Sequence, residues 1–368
     1  MNLLFVHDHI FLKYGEEFYS NGKLTYNQLS FYLNFCDELT VIGRYKEIDE
    51  KPDCSLLSSG PKIKIYGLDN PLSLKTFTSQ KRHLCENIIK KHDAIICRLP
   101  SENGLLFGKI AQNAHKPTLY EMVASPFDCL WFRGDFLAKA YAPILSFRTK
   151  KALKKADAII YVTNEYLQKK YPTSGKNIGI SDVIIEKTSS AKELLEKKEY
   201  KIGVIGNPKL KIKNIESIIK ASLSSNLNLE ISIVGGYLDD ILYEKYSKKA
   251  NINQLGFISE QSKLLSWLDS LDLYIQPSLT EGLPRSVLEA MSRGIPVIAS
   301  NVGGIPELVS SEYLFHPKNI NKISNLIDLV LSNKQIYYEL SNYSIEKAKE
   351  YTIENNILKS IFINENLM

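Results

Sequence analysis

The chain has 368 residues, of which 44% are hydrophobic and 24% charged. This composition is ordinary for a globular protein with full hydrophobic cores, and it excludes a disordered, collagen-like or disulfide-scaffold protein. The formal net charge of +5 is a small excess, so its distribution matters more than its sum, and we expect no nucleic-acid partner.

The N-terminal segment MNLLFVHDH predicts a first β-strand over residues 3–6. It lacks the basic stretch of a signal peptide, and no apolar run in the chain approaches the roughly 18 residues that a membrane span needs. The five cysteines include no C-x-x-C pair, which favours reduced thiols and disfavours a zinc site. We therefore expect a cytoplasmic protein, either free or peripheral at the inner face of the plasma membrane.

Short apolar runs alternate with helical patterns along the first half of the chain. The predicted strands are 3–6, 39–42, 63–66, 94–97, 118–123 and 158–162, and the predicted helices are 26–35, 80–91, 104–114 and 138–155. This alternation is typical of parallel βαβ units with both sheet faces covered. The alternation loosens after residue 172, where the charged run 187–199 predicts a linker and a surface helix.

The alternation then restarts in the second half. The predicted strands are 201–205, 229–234, 273–276 and 296–299, and the predicted helices are 215–222, 261–268, 285–292, 305–309, 320–332 and the tail 334–366. We therefore predict an α/β protein with Rossmann-like domains over residues 1–190 and 191–345, and a C-terminal helix over 346–368. A ligand would bind beyond the carboxyl ends of the strands, in a central cleft. The absence of a G-x-G-x-x-G motif after either first strand disfavours NAD binding.

The segment 277–309, PSLTEGLPRSVLEAMSRGIPVIASNVGGIPELV, combines loops and helix starts at one edge of the second sheet. A loop with Glu281 leads to a helix that Pro284 opens, and the loop Gly303-Gly304 leads to another helix. Helix N-termini present free N–H groups and a positive dipole end. The segment therefore predicts a site for a diphosphate or for sugar hydroxyls.

Two carboxylates of this segment, Glu281 and Glu289, are separated by seven residues. Glu281 lies in the loop and Glu289 in the second turn of the following helix, so both are predicted to face the cleft. A carboxylate can hold adjacent ribose or sugar hydroxyls with two oxygens. The alternative is that each is a solvated charge near a helix end.

This segment resembles the donor-binding signature of the retaining glycosyltransferases of family 4, which have the GT-B fold. The E-x7-E motif of that family matches Glu281 and Glu289, and its glycine-rich loop matches residues 303–307. The similarity covers most of residues 200–332 and includes Phe257 in the segment LGF. The resemblance implies GT-B domains that face a central cleft, with the C-terminal helix returning to the first domain.

The resemblance also implies roles for individual residues in the donor site. Glu289 would bind the ribose hydroxyls of the nucleotide, and Glu281 would contact the donor sugar. The amides of Gly282 and Leu283 would lie near the phosphate, and Phe257 would belong to the same donor site. UDP is the nucleotide that the family most often uses, and no essential metal or other cofactor is expected.

The phosphate clamp departs from the family pattern. The family has an Arg and a Lys after the first strand of this domain, and here Asn207 stands at the Arg position while Lys213 matches the Lys. The missing contact is either absent or supplied by Lys209, Lys211 or Arg285. The alternative for Lys213 is a solvated basic turn.

The first domain resembles the family less closely. The segments 7–9, 19–22, 98–101 and 161–172 are similar to a bacterial branch that is linked to surface polysaccharide assembly. The loop 13–24 with Gly22 would close over the donor phosphates, as the corresponding loop does in the family. His7 and His9 follow the first strand and are predicted either to face the cleft or to be structural.

Many members of the family have a His after the strand that here spans 118–123. This chain instead has Glu121 and Asp128 in that region, and either is predicted to orient the acceptor hydroxyl or to be structural.

The helical pattern over 144–156 has a basic face. That face consists of Arg148, Lys150, Lys151, Lys154 and Lys155. It is either a solvated face or a patch that binds anionic lipid, at about 1 kcal/mol for each basic residue. Family enzymes with lipid-linked acceptors, such as undecaprenyl-diphosphate-linked glycans, commonly use such a surface.

We therefore expect a retaining hexosyltransferase that uses a nucleotide sugar in capsular, exopolysaccharide or lipopolysaccharide biosynthesis. The alternatives are a sugar-nucleotide 2-epimerase of the same fold and a non-catalytic partner of another glycosyltransferase. The Asn207 position and the missing His make the second alternative conceivable.

Overall fold

The computed structural model describes residues 1–20, 24–52, 57–68 and 79–367. The chain divides into two compact units by its internal contacts. Unit 1 consists of Met1–Pro126, Ile144–Ile180 and Ile357–Met368, and unit 2 consists of Phe127–Pro143 and Ser181–Asn356.

Unit 1 is built on an eight-stranded sheet in the described residues. Its strands are Asn2–Tyr14 (β1), Glu17–Tyr19 (β2), Glu38–Glu47 (β3), Ile63–Gly67 (β4), Ala94–Leu99 (β5), Thr118–Met122 (β6), Ala158–Tyr161 (β7) and Lys176–Gly179 (β8). The order is β4-β3-β1-β5-β6-β7-β8, with all neighbours parallel, and β2 pairs antiparallel with β1. The apolar runs are buried on both faces, as a parallel sheet requires.

Helices alternate with these strands along the chain. They are Tyr26–Leu29 (α1), Ser79–Lys90 (α2), Glu102–Asn113 (α3), Pro126–Trp131 (α4), Phe136–Lys154 (α5) and Tyr166–Lys170 (α6), of which α4 and the first part of α5 belong to unit 2. The predicted helix 26–35 is in fact α1 followed by a 3-10 turn, Ser30–Asn34. The last helix, Ile353–Leu367, buries Ile363 and Leu367 in the core cluster that contains Leu3 and Phe5.

The first strand is much longer than predicted. It continues past Val6 through a register shift between Val6 and Ile10, and Ile10–Lys13 then pair with the extended end of β3. A hairpin follows, in which Gly15 takes the left-handed conformation and Leu12–Tyr14 pair with β2. The polar residues after Val6 therefore do not end the strand, because a register shift lets pairing resume beyond them.

Unit 2 is built on a six-stranded parallel sheet. Its strands are Tyr200–Ile205 (β9), Leu229–Val234 (β10), Asn251–Gln254 (β11), Leu273–Gln276 (β12), Val297–Ser300 (β13) and Leu314–Phe315 (β14), in the order β11-β10-β9-β12-β13-β14. Counted within the unit, this is the 3-2-1-4-5-6 order of a Rossmann sheet. The prediction of two Rossmann-like α/β halves is confirmed.

The helices of unit 2 flank its sheet. The helices that follow the unit 2 segment Phe127–Pro143 are Glu216–Ser222 (α7), Asp240–Tyr246 (α8), Gln261–Asp269 (α9), Arg285–Ser292 (α10), Ile320–Ser332 (α11) and Lys334–Lys349 (α12). The first residues of Ile353–Leu367 (α13) also belong to this unit. Across the described part of the chain, no helix combines the length and the hydrophobicity of a membrane-spanning segment.

Two predicted helices of the second half are wrong. The run 187–199 is irregular, because Leu194 is buried in the unit 2 core and the Lys192 backbone N–H donates to Ser341 Oγ. The predicted helix 305–309 is a single 3-10 turn, Ile305–Glu307, with Pro306 in its first positions. In the first case tertiary contacts to the core and to α12 take the place of helical hydrogen bonds, and in the second the local hydrogen bonds close only a single turn.

Candidate functional site

The strand order of unit 2 reverses between β9 and β12, which lie side by side at the centre of the sheet. In open α/β sheets, ligands bind beyond the carboxyl ends of the strands at this reversal. The chain leaving β9 contains Lys213, and the chain leaving β12 contains Glu281. The sheet topology therefore brings together two residues that are 68 positions apart in sequence.

Lys213 and Glu281 form an ion pair with 2.7 Å between Lys213 Nζ and Glu281 Oε1. Their side chains are 24% and 14% exposed, so the pair is shielded but reaches solvent. Lys213 comes from a 3-10 turn, Lys211–Lys213, and Asn214 ends that turn in the left-handed conformation. The Asn214 side chain donates to the carbonyls of Pro277 and Pro317, which anchors the turn to the end of β12.

A glycine allows Lys213 to cross the end of β9. A Cβ on Gly206 would lie 3.1 Å from Lys213 Cγ and Cδ, closer than ordinary packing permits. The lysine stem therefore passes directly over the Gly206 backbone, and this close approach aims Nζ at Glu281.

The loops after β12 and β13 pack against each other. The Gly304 N–H donates to the Gly282 carbonyl over 2.8 Å. Gly303 has φ +61°, and a Cβ there would meet the Glu281 carbonyl oxygen at 2.0 Å, so only glycine fits. The predicted meeting of the two glycine loops at one edge is confirmed, although the second loop leads to a 3-10 turn rather than a longer helix.

Glu281 also receives two neutral donors that the sequence analysis did not identify. Ser278 Oγ donates to Glu281 Oε1 over 2.7 Å, and Gln276 Nε2 donates to the same oxygen over 3.1 Å. Gln276 and Ser278 are completely buried. A Gln in an otherwise apolar strand is the one sequence signal that indicates this arrangement, since a buried amide needs partners.

Glu289 lies in the second turn of α10, as predicted. Burial raises the pKa of its carboxyl, while the charge of Arg285 and a hydrogen bond from Gln261 act in the opposite direction. Arg285 is exposed at the first residue of the same helix. A half-buried carboxylate and an exposed guanidinium thus lie near the N-terminus of α10.

The other residues predicted for this site lie in its loops. Asn207 is exposed, and its Oδ1 accepts the Lys209 N–H, which shapes the turn after β9. Leu283 packs against the core cluster that contains α10 residues. Phe257 is 61% exposed after Gly256, whose carbonyl accepts the Gly235 N–H beyond the end of β10.

In unit 1, Glu121 is almost completely buried within a cluster of charged and polar side chains. Its carboxylate accepts hydrogen bonds from Tyr32 Oη at 2.7 Å and Arg98 at 2.9 Å, and Lys359 Nζ lies 3.0 Å away. Glu121 is 1% exposed and Lys359 4% exposed. The carboxylate is therefore occupied by three side chains of the unit 1 interior, one of them from the C-terminal helix.

His9 lies within the register shift of β1, and its Nε2 is 2.7 Å from Ser20 Oγ. The loop predicted over 13–24 is in part the β1–β2 hairpin. Gly22 lies outside the described residues.

Asp8, which the sequence analysis did not single out, binds the N-terminus of α3. Its carboxylate accepts the backbone N–H groups of Glu102 at 2.5 Å and Asn103 at 3.1 Å. Burial raises the pKa of Asp8, and these two backbone hydrogen bonds lower it. We interpret Asp8 as a helix-capping residue.

The basic face of α5 is only partly as predicted. Arg148 forms an ion pair with Glu102 at 2.7 Å, so its charge is compensated within unit 1. Lys150, Lys151, Lys154 and Lys155 are exposed. Four large apolar residues on the same helix are also exposed, and two of them lie near the lysines, Ile144 at 52% and Phe147 at 67%.

Comparison with known proteins places this geometry in context. Residues 186–351 match the family model described as glycosyl transferases group 1. The chain is 33% identical over 387 aligned positions to protein CapJ of Staphylococcus aureus, covering 99% of this chain and 98% of the relative. It is 28% identical to O-antigen chain mannosyltransferase B of Escherichia coli over 160 positions, which is 40% of this chain and 42% of that protein.

Among solved structures, the chain is similar to Anabaena Alr3699/HepE, determined in complex with UDP. The TM-score is 0.68, with 13% identity over 99% of this chain and all of that one. At this identity the similarity extends to the fold alone.

Proposed function

The chain belongs to the group 1 glycosyltransferases. We propose that its unit 2 holds a nucleotide-sugar donor beside Lys213 and Glu281, beyond the carboxyl ends of β9 and β12. The transfer goes to a glycan acceptor in surface polysaccharide biosynthesis, with retention of anomeric configuration, as in family 4. The ion pair between Lys213 and Glu281 at the strand reversal carries this proposal, since it joins a phosphate-binding cation to a sugar-binding carboxylate.

The donor-side roles follow from the chemistry of each group. Lys213 leaves Glu281 to bind the diphosphate, and Arg285 at the start of α10 supplies the second cation in place of the Arg that Asn207 replaces. Glu281 binds the donor sugar through its carboxylate, and Glu289 binds the ribose hydroxyls. The Gly282 and Leu283 amides lie along the phosphate path, and Phe257 lines the nucleotide side.

The departing diphosphate gathers the largest negative charge as the glycosidic bond breaks. Lys213, Arg285 and the N-terminus of α10 stabilise that charge, and this electrostatic term is the main catalytic contribution of unit 2. The acceptor hydroxyl attacks on the face that the diphosphate leaves, which retains the configuration without a covalent intermediate. This mechanism does not need a metal ion, and EDTA is expected to leave the transfer rate unchanged.

We assign the acceptor to unit 1. His9 is the proposed acceptor-side base, because it lies where β1 shifts register and its ring is half-buried. Glu121 receives a structural role instead, since three buried side chains already occupy its carboxylate.

The identity of the nucleotide and that of the acceptor are proposed separately. UDP is the proposed nucleotide, in line with family usage and with the UDP complex of the Anabaena neighbour. Surface polysaccharide is the proposed product class, because a relative acts on the O-antigen chain. A lipid-linked acceptor, such as an undecaprenyl diphosphate glycan, agrees with the basic and apolar residues exposed on α5, and it implies a cytoplasmic enzyme at the inner membrane face.

A thermal-shift screen tests the proposed donor. UDP-glucose, UDP-N-acetylglucosamine, UDP-N-acetylgalactosamine and GDP-mannose are each added to the purified chain. A ligand that binds only the folded state stabilises it by mass action, and this raises the melting temperature. The stabilisation is about 2.7 kcal/mol when the ligand concentration is a hundred times Kd. A shift with at least one nucleotide sugar supports the proposal, and no shift with any nucleotide sugar contradicts it.

A further inference from the structure

Gln276 is a buried polar side chain near the proposed donor site with four hydrogen bonds. It is the last residue of the central strand β12, it is 0% exposed, and its neighbours Tyr274 and Ser278 are also fully buried. An uncharged amide in such a place is costly unless its partners are present. The donors and acceptors around it therefore indicate what the residue does.

All four hydrogen-bonding positions of the Gln276 amide are used. Oε1 accepts from Tyr274 Oη at 2.8 Å and from Ser286 Oγ at 3.1 Å. Nε2 donates to Ser278 Oγ at 2.8 Å and to Glu281 Oε1 at 3.1 Å. A primary amide offers two donors and two lone pairs, so the side chain has a single fully bonded orientation here.

The direction of these bonds is fixed by the carboxylate. An ionised carboxylate only accepts, so the Gln276 atom that faces Glu281 must be the NH₂ group. The carbonyl oxygen then faces Tyr274 and Ser286, whose hydroxyls must donate. The Tyr274 hydroxyl oxygen in turn lies 3.3 Å from the Ile205 N–H, which donates to it from the end of β9.

The three donors to Glu281 converge on one of its oxygens. Lys213, Ser278 and Gln276 all bond to Oε1, at 2.7, 2.7 and 3.1 Å. This arrangement turns Oε1 toward the protein and leaves Oε2 for a ligand. When Lys213 moves to the diphosphate, the neutral pair Gln276 and Ser278 is what still holds the carboxylate.

We propose that Gln276 is a positioning residue for the donor sugar, which fixes the Glu281 carboxylate so that Oε2 meets the sugar hydroxyls. The inference rests on the proposed donor site and adds to it a residue that no motif of the chain identifies. It also assigns a purpose to the polar end of an otherwise apolar strand. Gln276 acts on the sugar through Glu281 and does not contact the nucleotide.

The test compares nucleotide binding with sugar-dependent steps. Q276L and Q276M remove both hydrogen-bonding groups at similar volume, and the readouts are Kd for UDP by calorimetry and kcat for release of UDP from UDP-sugar. We expect kcat to fall about tenfold or more while Kd for UDP stays within about twofold. A general collapse of the unit would weaken UDP binding as well, so loss of both contradicts the proposal, as does wild-type kcat.

A matched control and a double mutant make the test specific. S344A deletes another fully buried hydrogen bond of unit 2, which Ser344 Oγ donates to the Ile295 carbonyl. Ile295 precedes β13, at the amino ends of the strands and away from the proposed site, so S344A is expected to leave kcat unchanged. In an E281A background, Q276L is expected to cause no further loss, because its effect passes through Glu281. Additive losses would overturn the proposal even if Q276L alone were poorly folded.

The failure of this inference differs from the failure of the proposed function. If the wild-type chain binds no nucleotide and no nucleotide sugar, the donor site itself is contradicted. If the wild-type chain binds and turns over a UDP-sugar while Q276M keeps full kcat, only the role of Gln276 is contradicted.

Discussion

At the scale of single residues, the ion pair of Lys213 and Glu281 joins two groups whose proposed roles differ once a donor is bound. The lysine compensates the carboxylate in the free protein, and both are less than a quarter exposed. A diphosphate carries more negative charge than the Glu281 carboxylate and competes with it for Lys213. Donor binding is therefore expected to exchange one charge-assisted hydrogen bond for another.

K213A tests this exchange. A hydrogen bond to a charged group is worth about 1.5–3 kcal/mol, so Kd for the nucleoside diphosphate is expected to rise roughly ten- to a hundredfold by calorimetry. K263A removes an exposed lysine of α9 that pairs with Glu260, the residue before this helix, and serves as the control. Unchanged affinity in K213A would exclude the phosphate role of Lys213.

The raised pKa of Glu289 predicts a pH dependence of its own. Burial raises this pKa above the ordinary carboxyl value, so the folded protein binds a proton more readily than the unfolded chain. Stability therefore falls as the pH rises through the interval between 4.5 and the raised pKa. E289Q is expected to melt higher than wild type at neutral pH, with the difference shrinking in acid.

The same residue is expected to affect nucleotide binding in the opposite sense. Ribose hydroxyls donate to an ionised carboxylate, so affinity is expected to weaken as the pH falls toward the raised pKa of Glu289. Calorimetric titrations of UDP at several pH values would measure this. The same pH dependence in E289Q would show that another group is responsible.

The sequence identified Lys213, Glu281 and Glu289 because they lie in contiguous motifs with fixed spacing. It did not identify the role of Gln276, whose significance depends on four partners that only the folded strand and helix bring around it. It left Glu121 open between an acceptor role and a structural one, because the side chains that occupy its carboxylate come from a distant helical turn, a neighbouring strand and the last helix. Long-range burial has no local sequence pattern.

At the scale of elements, the C-terminal helix α13 contributes a buried lysine to the unit 1 interior, in addition to its core residues Ile363 and Leu367. Lys359 pairs with Glu121 and lies over the rings of Phe31 and Tyr32 at about 5.5 Å. Removing Lys359 takes away one of the two cations that pair with the buried Glu121, while Arg98 remains 2.9 Å from it.

K359A is therefore expected to lower the free energy of unfolding measured in urea, by less than the about 3–5 kcal/mol that a buried charge left without any partner costs. K349A, which removes an exposed lysine paired with Glu346 in α12, is the matched control and is expected to unfold like wild type. Equal midpoints for K359A and K349A would mean that the buried pair does not anchor α13.

The helix α5 presents lysines and apolar side chains together on its exposed side. The angular positions of Ile144, Phe147, Lys151 and Lys154 fall within one half of the helix, since residues three, four and seven apart share a face. Basic residues attract anionic lipid and apolar ones enter the interface. This mixture is more specific than the basic pattern that the sequence predicted.

Co-sedimentation with phosphatidylglycerol vesicles tests this surface. K154A/K155A is expected to reduce binding roughly thirtyfold, since every basic residue adds about 1 kcal/mol near an anionic surface. F147E is expected to reduce binding because a charged side chain does not enter the apolar part of the membrane interface. K248A/K249A removes the same charge from exposed positions after α8 and is the control. Equal binding by all variants, or equal binding to phosphatidylcholine vesicles, would contradict membrane docking through α5.

The elements themselves were predicted well where the apolar pattern was continuous and poorly where it was not. Strands β5, β9, β10 and β12 lie where short β-branched runs predicted them. The edge strands Lys176–Gly179 and Asn251–Gln254 were missed, because their residues are polar and only partly buried. Their pairing with a neighbouring strand, rather than their own composition, makes them strands.

At the scale of the whole molecule, the alternation of strands and helices was enough to predict two Rossmann-like halves. The strand order within each sheet was not predictable, because equivalent βαβ units can be placed on either side of the first strand. That order decides which loops become neighbours at the carboxyl edge. It explains why a lysine after the first strand of unit 2 meets a glutamate after its fourth.

Phosphorus NMR of a nucleotide sugar incubated with the protein tests the central claim most directly. The sugar nucleotide is the one that gives the largest thermal shift, and the spectrum follows its diphosphate signals overnight. A glycosyltransferase is expected to release the nucleoside diphosphate slowly without acceptor, and E281A is expected to release much less. Conversion of the donor to an epimeric sugar nucleotide would contradict the account. So would complete persistence of the donor with the wild-type protein as well as with E281A.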